Sequence, residues 1–183
     1  MIVAMNRLGD SIGRHLKTDD RERPIGLLGA WVNQCFSRGV LRLQSADPFE
    51  QPRIDENMLD DERDRVRLRD GVRRLIDIVR EPAVRGIGAV LTGGLDIERD
   101  PSDTAIDQWA MATAGDTQHG TSTCRMGDPN DATTVVDPDC RVLGIEGLRV
   151  IDASIMPSVV RANTHLTTVM IGEMMAARLG AGH

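Results

Sequence analysis

The sequence predicts an α+β fold, and three observations carry that expectation. Asp60–Glu81 and Leu166–Leu179 repeat apolar residues at helical spacing, and Arg38–Ser45 alternates with period two. Leu148–Ile151 is a short apolar strand signal that runs through the turn-prone Asp152-Ala153-Ser154 toward the last helix. At 183 residues the chain is long enough for one domain with a real core, and short for two independent ones.

Composition narrows the function classes. A 40% hydrophobic and 27% charged chain is that of a soluble globular protein. The net charge of -6, with no basic stripe interleaved with aromatics, argues against nucleic acid as a partner. Cys35, Cys124 and Cys140 lack both an even count and CxxC spacing, so neither a disulfide framework nor a metal site is expected, and the thiols read as reduced in a cytoplasmic protein. The N-terminus lacks the order of a secretory signal, and no apolar run reaches the length of a transmembrane segment. Tyrosine is absent and aromatics are 2%, so the core is expected to be aliphatic and Met-rich, with Trp31 and Trp109 as anchors.

Taken in order, Met1–Arg23 reads as a helix running into a charged turn closed by Pro24. Ile25–Phe36 reads as a buried strand. Arg38–Ser45 is a strand with one wet face, after which Pro48 and Pro52 are expected to bar regular structure. The Asp60–Glu81 helix has Asp60 or Asp61 as its cap and Val66, Leu68, Val72, Leu75, Ile76 and Val79 as its apolar stripe. Its arginines interleave with Asp61, Glu62, Asp64, Asp70 and Asp77, the pattern of a solvated face laced with ion pairs. Val84–Gly94 is glycine-rich but matches no phosphate-loop motif. A further helix starts at Ser102 or Asp103 and runs to about Ala114. Val135–Pro138 and Arg141–Gly144 read as a small strand pair, and the last helix exposes Glu173 and Arg178.

Two loop histidines carry the candidate chemistry. His119 opens HGTSTCRMG, and His165 stands where an irregular segment with Pro157 and Asn163 meets the last helix. Histidine is the side chain best suited to taking a proton near neutral pH. On spacing alone the two could equally be unrelated residues, and Asp152 could equally be a plain turn cap. A helix N-terminus reached through such a turn is also a plausible cradle for an anion or cofactor.

Three blocks, in order, resemble the C-terminal portion of the flavin-dependent glucose-methanol-choline (GMC) oxidoreductases. They are Ser37-Arg38-Gly39 through Ser45-Ala46-Asp47-Pro48 to Pro52-Arg53-Ile54; HGTSTCRMG from His119; and Asp152-Ala153-Ser154, Pro157, Asn163-Thr164-His165 and Ile171-Gly172-Glu173. Gly120 stands where the family usually has Pro, and Ser122 where it usually has Gly, which predicts a looser loop.

The resemblance implies an antiparallel substrate-domain sheet with flanking helices, plus the last strand and helix of an FAD-binding domain. The GxGxxG Rossmann half is absent from the sequence. It divides the chain into an N-terminal helix and charged linker over 1–24, a substrate-domain portion over 25–116, and a segment over 117–183 completing the FAD and active-site region. It implies FAD as cofactor, met by Asp152, Ala153, Asn163, Thr164, Leu166 and Thr167, with His119 as base and His165 as its partner, two roles that could be shared. Cys124 reads as a packed thiol, and His15 and His183 as solvent-exposed. The expected function is oxidation of a primary or secondary alcohol by hydride transfer to flavin. The chain is expected to be inactive without an N-terminal FAD-binding half, which a separate chain could carry. The alternative is a non-catalytic binding or scaffolding protein derived from the substrate domain.

Overall fold

Strands are short in this chain and helices carry the packing. In order, the elements are β1 (Ile2–Val3), β2 (Trp31–Val32), β3 (Val40–Arg42), β4 (Arg53–Asp55), α1 (Glu62–Arg80), α2 (Pro82–Arg85), α3 (Asp103–Thr113), β5 (Gly115–Asp116), a 3-10 turn (Ala153–Ile155) and α4 (His165–Gly180). The structure, a computed structural model, describes residues 28–86 and 97–182 and the backbone of Ile2–Val3. The expected helix and linker over 1–24 lie outside the described residues apart from Ile2–Val3, which form a strand. The glycine-rich stretch beyond Gly86, His15 and His183 also lie outside them. The chain divides into two compact units.

The first unit combines the described parts of Met1–Arg38 and Asn57–Thr117. Asp61 caps α1 by accepting from the Arg63 N–H at 2.9 Å, Glu62 and Asp64 sit at the positive end of the helix, and Pro82 stops it. Its buried face is Asp64, Leu68, Val72, Ile76 and Val79. Val66 departs from the expected stripe and is exposed, because two residues before Leu68 is the opposite side of a helix. Asp64, read from the sequence as part of the solvated face, is fully buried. Its carboxylate accepts from the Phe36 and Ser37 N–H groups at 2.9 and 2.7 Å and from the Ser37 hydroxyl at 2.8 Å, which satisfies the charge.

Those bonds tie the chain after β2 to α1. The expected strand Ile25–Phe36 shrinks to Trp31–Val32 among the described residues, since Gln34 turns into the left-handed region at φ 54° and breaks the extended run. Trp31 is 47% exposed and anchors no core, whereas Trp109 packs against the cluster of Val32, Leu68, Val72, Ile76 and Ile106. Ser102 caps α3, and Arg69 on α1 pairs with Asp107 and Asp103 of α3 and with Glu62. β1 joins β2 and β5 in a three-stranded antiparallel sheet.

The second unit comprises Gly39–Glu56 and the described part of Gln118–His183. β3 and β4 pair antiparallel in the register Val40↔Asp55, Leu41↔Ile54, Arg42↔Arg53, and all six residues are exposed. The expectation of one buried face and of no regular structure after Pro48 is thus corrected. Pro52 stands just before β4, where no ladder N–H is needed, so it permits the strand. Gly39 is required at the hairpin's base, because a Cβ there would lie 2.3 Å from the Asp55 carbonyl oxygen.

The core of this unit is Val136, Cys140, Ile155, Met156, Ile171 and Met175. Single bridges Met126↔Val136, Val136↔Val142 and Arg141↔Arg149 frame it. Leu148–Ile151 contributes only that last bridge and is not a continuous strand, since no described segment pairs along its other edge. On α4 the expected stripe of Leu166, Val169, Met170, Met174 and Ala177 faces outward, and Ile171 and Met175 face the core. The helix is apolar on both sides, so the inward face is selected by the core residues available to meet it.

Candidate active site

The site is built around the turn at Asp152. The Asp152 carboxylate accepts from the Ser154 N–H at 2.7 Å and the Ser154 hydroxyl at 2.5 Å, which closes the chain into the 3-10 turn. No acceptor for the Ala153 N–H is present among the described residues. Ile155 and Met156, at the end of the turn, enter the core beside Ile171 and Met175, and so hold the turn against α4.

The HGTSTCRMG loop is fastened to the same turn by its second half. The Cys124 N–H donates to the Ser154 carbonyl at 3.0 Å and the Met126 N–H to the Ile155 carbonyl at 2.9 Å. The Arg125 carbonyl accepts from Val135 at 2.8 Å, and its guanidinium pairs with Asp131 at 2.8 Å. Hydrogen bonds from Thr133, and then the Arg125 charge, hold Asp131 below the usual carboxylate range. Gly127 is needed for close approach, because a Cβ there would lie 2.5 Å from Thr134 Oγ1. Cys124 is a half-buried free thiol, and burial raises the Cys140 thiol above its ordinary value.

The first half of the loop holds His119. Gln118 and Ser122 bracket it in the left-handed region, at φ 59° and 69°. The loop is therefore strained at Ser122 rather than loosened, because serine occupies a backbone conformation that glycine adopts freely. Gly120 has no positive φ and open space around it. His119 is half-buried, and its Nδ1 is buried with no hydrogen-bond partner.

His165 is exposed at the start of α4. Unlike Asp61 and Ser102 on the other long helices, Thr164 makes no side-chain cap. The first-turn N–H groups of α4 therefore remain unspent by a cap at the positive end of the helix, a setting suited to anionic or carbonyl oxygens. Thr164 is buried, Thr167 is half-buried, and Asn163 and Leu166 are exposed, Leu166 at 79%.

The second unit thus fastens the His119 loop to the Asp152 turn and packs that turn against α4, while no hydrogen bond joins His119 to His165 among the described residues. Sequence reasoning missed the anchoring roles of the Ser154 and Ile155 carbonyls, which no side-chain pattern signals. No group of three metal-ligating side chains occurs among the described residues.

Comparison with known proteins places this arrangement. The GMC oxidoreductase family model matches residues 35–172. The chain is 43% identical over 141 residues to the mitochondrial choline dehydrogenase of Homo sapiens, covering 76% of this chain and 23% of that protein. It is 38% identical over 156 residues to a 5-(hydroxymethyl)furfural oxidase of Methylovorus sp., covering 80% of this chain and 29% of that one. The crystal structure of pyridoxine 4-oxidase from Mesorbium loti superposes with a TM-score of 0.71 at 27% identity, over 82% of this chain and 29% of that one. The chain thus spans less than a third of the length of each. The motifs, the fold and the family match agree, and the chain belongs to the GMC oxidoreductases, whose C-terminal portion it represents.

Proposed function

We propose that this chain is the C-terminal portion of an FAD-dependent oxidoreductase that converts a primary or secondary alcohol to a carbonyl, and that it is inactive without the polypeptide carrying the rest of the FAD site. The carrying observation is that one turn organises both halves of the chemistry. The His119 loop is fastened to Asp152–Ile155 by backbone bonds, and α4, whose start is uncapped, packs on the same turn through Ile171 and Met175. FAD is the cofactor of this family's enzymes, and when bound it supplies the acceptor for hydride from the alcohol carbon.

The donors present suit that group. The Ala153 N–H and the first-turn N–H groups of α4 would hold its oxygens, with Asn163, Thr164, Leu166 and Thr167 along its edge and Asp152 fixing the turn. His119 and His165 would act on the substrate oxygen. One of them takes the hydroxyl proton, and the other steadies the oxygen as charge develops on it.

The test uses the complete flavoenzyme and rapid-mixing measurement of flavin reduction by an alcohol. His119→Ala is expected to slow reduction by roughly 10²-fold or more while FAD stays bound. Reduction at the parental rate would remove His119 from the chemistry.

A further inference from the structure

We propose that Asp64, Ser37, Arg38 and Asn57 form a clamp on the two feet of the β3–β4 hairpin, and that this clamp keeps the hairpin folded although it has no core of its own. The six ladder residues are exposed, and among the described residues none of 39–56 belongs to either hydrophobic cluster. A two-stranded sheet without a buried face is marginal in water, because a few ladder bonds barely offset the entropy lost when the chain ends are brought together. The far end of the hairpin is closed by its own residues. The Ser45 hydroxyl accepts from the Asp47 N–H at 3.1 Å, the Asp47 carboxylate accepts from the Phe49 N–H at 2.9 Å, and the Gln44 side-chain amide donates to the Gln51 carbonyl at 2.9 Å. The feet are closed by residues outside the strands.

The outgoing foot is Phe36–Arg38. Its Phe36 and Ser37 N–H groups and the Ser37 hydroxyl all donate to the buried Asp64 carboxylate, and that hydroxyl accepts in turn from the N–H of Asp61, the residue that caps α1, at 3.1 Å. The Arg38 guanidinium turns back and donates to the Cys35, Phe36 and Ser37 carbonyls at 2.7, 3.1 and 3.0 Å. Donors and acceptors of this backbone are thus both held. The returning foot is Asn57–Leu59. Asn57 and Leu59 lie in the left-handed region, at φ 47° and 62°, and Leu59 is buried in the core cluster of the first unit. The Asn57 side-chain amide donates to the Arg38 carbonyl at 3.2 Å, which ties one foot to the other. At the next position Gly39 permits the strands to close, since a Cβ there would also lie 2.9 Å from the Glu56 Cα. With the ends of 39–56 held together in this way, the ladder bonds need not supply the closure themselves.

Replacing Asp64 itself could unfold the core around it, so the test removes bonds at the rim of the clamp. Ser37→Ala deletes the hydroxyl, and Asn57→Asp keeps the size and the tolerance for positive φ while deleting the donor. The measurement is amide hydrogen exchange of the ¹⁵N-labelled full chain, read residue by residue. In the parent the ladder amides of β3 and β4 are expected to be protected. In each variant they are expected to exchange roughly fivefold faster or more, the effect of losing one hydrogen bond, while the interior amides of α1 from Leu68 to Ile76 keep parental rates. Hairpin amides that are unprotected in the parent, or that exchange at the parental rate in either variant, would overturn the proposal. Equal acceleration in the hairpin and in α1 would overturn it too, since the hairpin would then open only when the helix does.

Discussion

Ser122 is one of the described non-glycine residues at which the chain bears a backbone cost. Its φ of 69° lies where a Cβ crowds the following carbonyl, and the penalty for such a non-glycine residue is about 1–2 kcal/mol. Ser122→Gly is therefore expected to raise the unfolding free energy by up to about 1 kcal/mol, after the extra entropy glycine brings to the unfolded chain. Urea melts of the two proteins measure it, and a less stable glycine variant would show that the serine side chain contributes more than its backbone costs. The identity of Ser122 was legible in the sequence, but its strain was not, because φ is set by how the Cys124 and Met126 bonds draw the loop onto the Asp152 turn. Asp64 is the counterpart. Its charge placed it on the wet face, and only the approach of the Phe36 and Ser37 N–H groups made burial tolerable.

At the scale of elements, α1 was legible because its determinants are local. Its cap, its acidic first turn and its stop at Pro82 all lie within a few residues of its ends. The capping bond also makes α1 pH-sensitive. Hydrogen bonds from Arg63 to the Asp61 carboxylate lower its pKa from 3.8 to about 2. The folded value is the depressed one, so the contribution is complete above pH 3.8 and is lost as pH falls toward about 2. Asp61→Asn should accordingly cost stability at pH 6 and far less near pH 2, measured as the gap between chemical-denaturation midpoints. A gap unchanged between the two pH values would show that the charge contributes nothing to the cap.

The face of α4 was not legible, for the opposite reason. Both sides of the helix are apolar, and the choice of Ile171 and Met175 as the buried pair depends on the distant Val136, Cys140 and Ile155. Met175→Ala is expected to cost about 2–5 kcal/mol, as large-to-small changes in cores do. Met170→Lys, on the exposed side, is expected to stay within about 0.5 kcal/mol of the parent and to weaken binding of a hydrophobic dye. A severe loss of stability in Met170→Lys would reverse the assignment of faces.

For the molecule as a whole, the second unit carries apolar surface with nothing to cover it among the described residues. Leu166, Val169 and Met170 on α4, Leu41, Leu43 and Ile54 in or beside the β3–β4 hairpin, and Phe49 at 89% exposure are of this kind. Isolated two-stranded sheets are marginal in water. The relatives that the chain matches are roughly three times its length, so the chain spans only part of each. The purified chain alone is accordingly expected to be colourless and to bind FAD weakly, because the donors proposed to hold it among the described residues are confined to Ala153 and the start of α4. A stoichiometric yellow complex with a bound-flavin spectrum would contradict the expectation.

The sequence by itself determined the family, the positions of the long helices and which residues are candidates for the chemistry. Those features reside in short contiguous runs such as HGTSTCRMG, the Asp152-Ala153-Ser154 turn and the periodic stripe of α1, where the physical determinants are near neighbours in the chain. Only the tertiary structure decided that Leu148–Ile151 makes a bridge instead of a strand, that the far side of α4 faces the core, and that His119 Nδ1 is sealed without an acceptor. Each of these depends on which distant segment arrives to pair, pack or cover. Hydrogen-bond and burial free energies are fixed by that arrival and leave no periodic trace in the order of residues.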